Sequence, residues 1–151
     1  ETRRMIDTKW IGHRFPAIRW EVEKGRLRFF AKAIGETRPE CIDEDAAKAA
    51  GHPSLLAPPT ILFSGPLDHD DVPKLLQMLG IDMNNILHGE QGFTYHAPIH
   101  AGDVLEFESQ ITDITSKKGG ALELVARESR VTNQRGELVA TVRNVVAVVN
   151  R

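Results

Sequence analysis

One polar loop in the first third of the chain carries side chains that could do acid–base chemistry. The loop reads Glu36-Thr37-Arg38-Pro39-Glu40-Cys41 and follows a predicted helix that stops at Gly35. Loops held between helices are common positions for functional sites. Glu36 could act as a general base, because a carboxylate beside a helix end and an apolar surface can have its pKa tuned. The alternative is a solvated loop acid that pairs with Arg38.

The thiol of Cys41 is the second reactive group of this loop. As a nucleophile it would need a nearby base, and its local sequence offers none. A free thiol with a pKa of about 8.5 is mostly protonated at neutral pH and lacks the two nitrogens of an imidazole. Most lone cysteines are small packing residues, and we expect Cys41 to be one. A single cysteine allows no intrachain disulfide and fits a reducing compartment.

A second group of candidate side chains is His88-Gly89-Glu90-Gln91. His88 and Glu90 are two residues apart, so on a strand they would share one face and could act as an acid–base pair. Gln91 could hydrogen-bond an amide of a ligand. The alternative is a hydrogen-bonded turn into a strand, in which the backbone requires Gly89.

The segment Ala57-Pro58-Pro59-Thr60 could bind a ligand oxygen through its backbone. A helix that starts after Pro-Pro can direct free N–H groups at a carbonyl oxygen or a phosphate. Pro59 and Thr60 therefore mark the best candidate for an oxyanion site. The alternative is an ordinary buried helix start that Thr60 or a neighbour caps.

The hydrophobic pattern predicts the elements that position these groups. We expect a strand over residues 15–22, helices over 23–34 and 43–50, an exposed loop at 68–71 and a small helix over 73–79. The nearly apolar helix that begins at Pro59 should be buried as the central helix, and Gly65-Pro66 should interrupt it. Strands follow over 86–96, 104–114, from 122 onward and over 138–149, with turns at 118–120 and 133–136. One strand, several helices and four strands indicate an α+β domain, an antiparallel sheet with helices on one face.

Length and composition exclude several classes of function. The 151 residues suit one domain, over residues 5–151, with a short N-terminal tail at 1–4. A net charge of -2 argues against nucleic acid or an anionic membrane as a partner. No segment approaches the roughly 20 apolar residues of a membrane span, and we expect a cytoplasmic protein. His96 and His100 lie about 13 Å apart in an extended segment, so we predict no metal site, and no dinucleotide or phosphate-loop motif indicates a cofactor.

The order of these motifs resembles the MaoC-like hydratase/dehydratase family of the hotdog fold. Catalytic members carry a Gly-Asp-x-Asn-Pro-x-His pattern whose Asp and His act on a water and an acyl thioester. Gly35 and Pro39 match this pattern. Glu36 stands in place of the Asp, Arg38 in place of the Asn and Cys41 in place of the His. The chain therefore departs from the family at both catalytic positions.

The resemblance covers nearly the whole chain. Residues 57–60, 87–91 and 95–103 are similar to the branch related to the N-terminal half of fungal fatty-acid-synthase-type dehydratases, which includes subunits that pair with a catalytic partner. The family fold is a sheet wrapped around a central helix, and two such units associate through their sheets. Its substrates are acyl-CoA or acyl-ACP thioesters. On this basis the catalytic candidates are Glu36, His88 and Glu90, and the substrate-binding candidates are Arg38, Cys41, Pro59, Thr60 and Gln91.

The resemblance and the missing dyad together leave three functional hypotheses. Hydration of an enoyl thioester needs a base, an acid and donors for the developing enolate oxygen. The first hypothesis is a hydratase/dehydratase subunit whose Asp and His come from a hotdog partner in a heterodimer. The second is a self-sufficient homodimer that uses Glu36 or the His88/Glu90 pair. The third is a non-catalytic acyl-thioester binding module.

Overall fold

The computed structural model describes residues 5–150, so the tail predicted at residues 1–4 lies outside the described part of the chain. One sheet contains the strands β1 (Ile18–Glu21), β2 (Ile86–Tyr95), β3 (Val104–Lys117), β4 (Leu122–Thr132) and β5 (Leu138–Val149). The α-helices that precede β2 are α1 (Lys24–Ile34), α2 (Pro39–Ile42), α3 (Glu44–Ala49), α4 (Ser64–Leu67) and α5 (Asp71–Leu79). Short 3-10 helices lie at Thr8–Trp10, Pro59–Phe63, Met83–Asn85 and Lys118–Gly120.

The sheet is antiparallel throughout, with the strand order β1-β3-β4-β5-β2. Strands β1 and β2 form its two edges, and the long strands β3, β4 and β5 form its centre. Residues alternate between the two faces: Leu105 and Phe107 are buried on the inner face, while Glu106 and Glu108 are exposed on the outer face. The α+β class and the antiparallel sheet predicted from the sequence are confirmed.

The helices cover the inner face of the sheet in two hydrophobic clusters. One cluster joins the 3-10 helix Pro59–Phe63 to the β1 side of the sheet; it includes Trp20, Leu27, Ile61, Leu62, Phe107 and Val131. The other joins α5 to the far ends of the central strands; it includes Leu75, Leu76, Ile111, Val125, Val146 and Val148. No helix within residues 5–150 is long and apolar enough to cross a membrane.

The central helix is buried, as expected, and is built from two short pieces. The segment Pro59–Phe63 is a 3-10 helix and continues directly into α4. Pro66 has no N–H to donate to the carbonyl one α-helical turn earlier, so a regular α-helix cannot run through it. A Cβ on Gly65 would lie 2.9 Å from Cζ of Phe107, and the helix therefore approaches the sheet where only glycine fits. Ile61 and Leu62 are fully buried at this contact.

Two element boundaries differ from the sequence prediction. The first strand starts at Ile18 and not at residue 15, because Pro16 has no N–H for the ladder; Phe15 N still donates to Ser109 O at 3.0 Å. The loop before α3 also contains the short helix α2, whose first residue is Pro39. Proline at the first helical position is favourable, and this signal was present in the sequence.

The expectation of an exposed loop at residues 68–71 was wrong for its last residue. Asp71 begins α5 and is only 9% exposed. Its carboxylate accepts a hydrogen bond of 2.6 Å from Nη2 of Arg127, on the inner face of β4. Asp68 accepts hydrogen bonds from Trp20 Nε1 and Arg26 Nη2, each at 3.0 Å. A run of polar residues looks like a loop in sequence because its partners are distant in the chain.

Candidate active site

The carboxylate of Glu36 is held by Arg38. The backbone N–H and the Nη2 of Arg38 each donate to one oxygen of Glu36, both at 3.0 Å. These bonds, the side-chain bond first, lower the pKa of Glu36 below its usual value. A carboxylate with a lowered pKa is a weaker base, and both of its oxygens already accept hydrogen bonds. This geometry matches the alternative in which Glu36 is a loop acid paired with Arg38.

Cys41 lies beneath this loop and has no exposed surface. It belongs to α2, and its backbone N–H donates to Arg38 O at 3.0 Å. Burial raises the pKa of the Cys41 thiol, so the sulfur carries its proton at neutral pH. A buried, protonated thiol is a packing group and neither a nucleophile nor a general base.

A pocket of about 260 Å³ opens beside Arg38. Its walls come from the segment before the central helix and from the turn that follows β2. The two walls are tied together by Ala57 N, which donates to Ile99 O at 2.8 Å. The lining residues are Arg38, Leu56, Ala57, Pro58, Pro59, Tyr95, Ala97, Pro98 and Ile99. The lining is apolar apart from a guanidinium and a phenol, which suits a ligand with an apolar body and a few polar atoms.

Tyr95 is a pocket residue that the sequence reasoning missed. It ends β2, and its ring stacks on Phe93 with the ring centroids 6.0 Å apart. Burial raises the pKa of Tyr95 to about 12, so its hydroxyl stays protonated and can donate a hydrogen bond into the pocket. The available signal was position, because Tyr95 comes just before the turn at Ala97-Pro98 that closes the strand.

The helix start at Pro59 offers fewer donors than the sequence suggested. The segment is a 3-10 helix of five residues, and Ile61 N already donates to Pro58 O at 3.0 Å. Pro59 has no N–H. Thr60 is exposed, and within residues 5–150 no side chain caps this helix start. One backbone N–H, that of Thr60, therefore remains as a donor where the sequence had suggested several.

His88 and Glu90 do not share a face of β2, so the sequence prediction for this pair was wrong. A β-bulge at Gly89 shifts the register between them. A Cβ on Gly89 would lie 3.0 Å from Val145 O, which explains the glycine. Glu90 forms an exposed ion pair with Arg143 on the outer face. His88 stays on the inner face. The one local sign of the bulge was Gly89, which the alternative interpretation of this segment already required for the backbone.

His88 and Gln91 instead line a cavity of about 40 Å³ between the central helix and the sheet. The ring of His88 lies edge-on to Phe63, with centroids 5.7 Å apart. The cavity also receives polar side chains from the inner faces of the central strands, which sequence reasoning missed: Ser109, Arg127, Ser129 and Asn144. The sequence did contain a signal for Arg127. It lies two residues after Val125 on β4, so both side chains are on the inner face of the strand.

The candidate residues thus form two groups along the inner face of β2. Arg38, Pro59 and Tyr95 line one pocket, and His88 and Gln91 line the other. The half-buried ring of Phe93 lies between Gln91 and Tyr95 in the strand and packs on the first hydrophobic cluster. Within residues 5–150, the Glu36 loop and His88 therefore belong to two separate sites.

A histidine pair stands beside the first pocket. Nδ1 of His52 lies 2.9 Å from Nε2 of His100, and the backbone N–H of His100 donates to Asp103 at 2.9 Å. Burial lowers the pKa of His100, which keeps its ring neutral at physiological pH. Within residues 5–150 no three metal-ligating side chains come together.

Comparison with known proteins gives matches along most of the chain. The family described as "FAS1-like, dehydratase domain region" matches residues 9–142. A UPF0336 protein of Streptomyces griseus subsp. griseus is 34% identical over 139 residues, which is 90% of this chain and 90% of that protein.

Solved structures match as well. A C-terminally truncated HadBC (3R-hydroxyacyl-ACP dehydratase) complex from Mycobacterium tuberculosis gives a TM-score of 0.77 at 26% identity, covering 91% of this chain and 96% of that chain. A MaoC-like dehydratase gives a TM-score of 0.80 at 25% identity, covering 93% of this chain and 42% of that chain. These neighbours confirm the hotdog fold expected from the sequence.

Proposed function

Because the chain belongs to the FAS1-like dehydratase-region family of hotdog hydratases and dehydratases, we propose that it is a subunit of a heteromeric enzyme. The enzyme hydrates an enoyl thioester or dehydrates a 3-hydroxyacyl thioester. A second hotdog subunit supplies the catalytic Asp and His, and this chain shapes the acyl pocket. The thioester carrier is coenzyme A or acyl carrier protein, as the name of the Mycobacterium tuberculosis dehydratase suggests for the second.

One observation carries the proposal: the two positions of the family's dyad hold a carboxylate that is already hydrogen-bonded and a thiol that is buried. The Glu36 carboxylate accepts two hydrogen bonds from Arg38, and its pKa is lowered. The Cys41 thiol is fully buried, and its pKa is raised. Hydration needs a base near neutral pKa and an acid within reach of the substrate. A partner must therefore bring both.

The edge strand β2 supports pairing with a second subunit. Among residues 5–150 it pairs only with β5, so its other edge offers N–H and C=O groups to another sheet. The large apolar residue Leu87 of this strand is 62% exposed, and the aromatic ring of Tyr95 belongs to a residue that is 39% exposed. Exposed apolar side chains on an unpaired edge are typical of a surface that a partner covers.

The test is crotonyl-CoA hydration by the purified chain, with its mass in solution recorded on the same sample. We expect a folded protein with no turnover above the buffer rate. Adding a hotdog partner that carries the Gly-Asp-x-Asn-Pro-x-His pattern should restore turnover. In that complex Glu36→Gln should leave kcat unchanged, and Glu40→Gln on α2 is the matched control.

Two results would assign a different function. Turnover by the chain alone, lost in Glu36→Gln or His88→Gln, would identify a self-sufficient homodimer. The second result is thioester binding with no turnover in any complex, which would identify a binding module. Arg38→Gln removes the guanidinium beside Glu36 and keeps the backbone hydrogen bond from residue 38. A rise in activity of this variant would show that Glu36 can serve as a base once its charged partner is gone.

A further inference from the structure

A buried arginine with unused hydrogen-bond donors lies under the central helix. The Arg127 side chain is 6% exposed and lines the cavity between the central helix and the sheet. Its Nη1 has no hydrogen-bond partner within residues 5–150. Buried polar groups almost always have partners, and leaving a charged donor without one is costly. The two N–H groups on Nη1 therefore point to a ligand that completes this site.

The other contacts of Arg127 fix the guanidinium in place. Its Nη2 donates to Asp71 at 2.6 Å, and its Nε donates to Asn144 Oδ1 at 3.3 Å. The guanidinium carbon lies 5.6 Å from the centroid of the Phe15 ring. The charge of Arg127 is thus already balanced by one carboxylate. A second anion would compete with Asp71, whereas a neutral oxygen acceptor would not.

The cavity beside Nη1 has a size and a lining that suit the end of an alkyl chain of a ligand. Its volume of about 40 Å³ would hold a few water molecules, or one polar group with a terminal methyl. Its apolar lining comes from both sides: the helices contribute Leu62, Phe63, Pro66, Leu67 and Val72, and β5 contributes Val142. Three of its lining residues, Leu67, His88 and Gln91, are exposed, so the cavity reaches the surface. Ser109 and Ser129 share one hydrogen bond of 2.6 Å between their hydroxyls, and Arg127 Nη1 is the buried charged donor of this lining that has no partner within residues 5–150.

We propose that this cavity binds the distal end of an acyl chain that carries a carbonyl oxygen next to its terminal methyl, with Arg127 Nη1 as the donor. The inference rests on the proposed function and narrows its substrate class from acyl thioesters in general to oxygenated ones. A plain alkyl end would fill the cavity and leave Nη1 without an acceptor, which loses affinity. A ketone oxygen accepts the bond and brings no donor of its own that would need a partner.

The first experiment compares matched thioesters by titration calorimetry. The affinities of hexanoyl-, octanoyl- and decanoyl-CoA are each compared with that of the acyl-CoA of the same length that carries a ketone carbonyl next to its terminal methyl. We expect the ketone to bind roughly tenfold more tightly at the length that reaches Arg127. The double variant Asp71→Asn/Arg127→Met removes the donor without leaving a buried charge alone, and it should abolish the preference. The matched control is Arg143→Met on the outer face, which should keep it.

A second variant covers the case in which the double variant does not fold. Val142→Leu fills the cavity and keeps the Asp71–Arg127 pair, and it should weaken ketone binding by a similar factor. Equal affinity of ketone and alkyl thioesters for the native chain at every length would overturn the inference. So would a preference that survives both variants.

A second experiment separates failure of this inference from failure of the proposed function. The 15N-labelled chain is titrated with methyl butyl ketone and with its isostere in which a methylene replaces the carbonyl oxygen. The ketone should shift the Nε–H resonance of Arg127 and saturate, and the isostere should do so roughly tenfold more weakly. If the site binds the ketone and the chain binds no thioester with or without the hotdog partner, the proposed function alone is refuted. No shift at Arg127 refutes the site, whatever the thioesters do.

Discussion

Removal of one partner from the Asp71–Arg127 pair should destabilise the protein far more than removal of an exposed partner. The two side chains are 10% and 6% exposed and lie 2.6 Å apart. Arg127→Met leaves the Asp71 carboxylate buried without its cation, which costs about 3–5 kcal/mol of unfolding free energy. Since a domain of this size has about 5–15 kcal/mol in total, the loss is a large fraction of its stability.

The exposed pair Glu90–Arg143 provides the matched control. Its side chains are 65% and 51% exposed, and water screens their attraction. Arg143→Met should therefore cost about 0–1 kcal/mol. Raising the salt concentration should reduce the contribution of this pair and leave the buried pair nearly unchanged.

The assay is urea unfolding followed by tryptophan fluorescence, at one protein concentration for all variants. A double-mutant cycle with Asp71→Leu and Arg127→Met should give a coupling energy above about 2 kcal/mol, because the apolar double variant leaves no charge buried alone. The same cycle at Glu90 and Arg143 should give less than about 1 kcal/mol. Equal coupling in the two cycles would refute the reasoning, since burial would then make no difference.

Two further predictions concern the bulge and the histidine pair. Gly89→Val should lower the unfolding free energy by about 1–3 kcal/mol in thermal unfolding, because its Cβ would lie 3.0 Å from Val145 O. Gly92→Val is the control and should cost much less, because the nearest atom to its Cβ would be 3.9 Å away. Equal costs for the two variants would contradict the close approach at Gly89. Burial lowers the folded-state pKa of His100, so the unfolded chain takes up the proton first as pH falls. The contribution of His100 to stability is therefore full above about pH 6.5 and declines below it. His100→Gln should make the melting temperature fall less steeply as the pH is lowered below about 6.5. An unchanged pH dependence would show that His100 does not cause the decline.

The regular elements were predictable because their signals are local. The alternation of Leu105 and Phe107 with charged residues fixes the inner face of β3 without any knowledge of its neighbours. Apolar spacing and Gly35 placed α1 to within one residue of its bounds. The expected interruption of the central helix also followed from a local rule, because a proline cannot continue the hydrogen-bond ladder.

The candidate site was less predictable, since its geometry depends on contacts between distant residues. The Glu36 loop stays a predicted site, and only the structure pairs its carboxylate with two donors of Arg38. The supposed His88/Glu90 pair failed because a one-residue bulge moves every later side chain to the opposite face. Tyr95 gains its role from the pocket that surrounds it.

By itself the sequence determined the class of fold, the family and the absence of the family's Asp and His from their usual positions. These properties depend on residue type and on periodicity, which are read directly along the chain. Only the tertiary structure decided which polar groups lie inside. The meeting of Asp71 with Arg127 joins residues 56 positions apart, and no local pattern encodes that distance. Burial turns an ordinary ion pair into a site, because water is excluded and each remaining donor needs a partner.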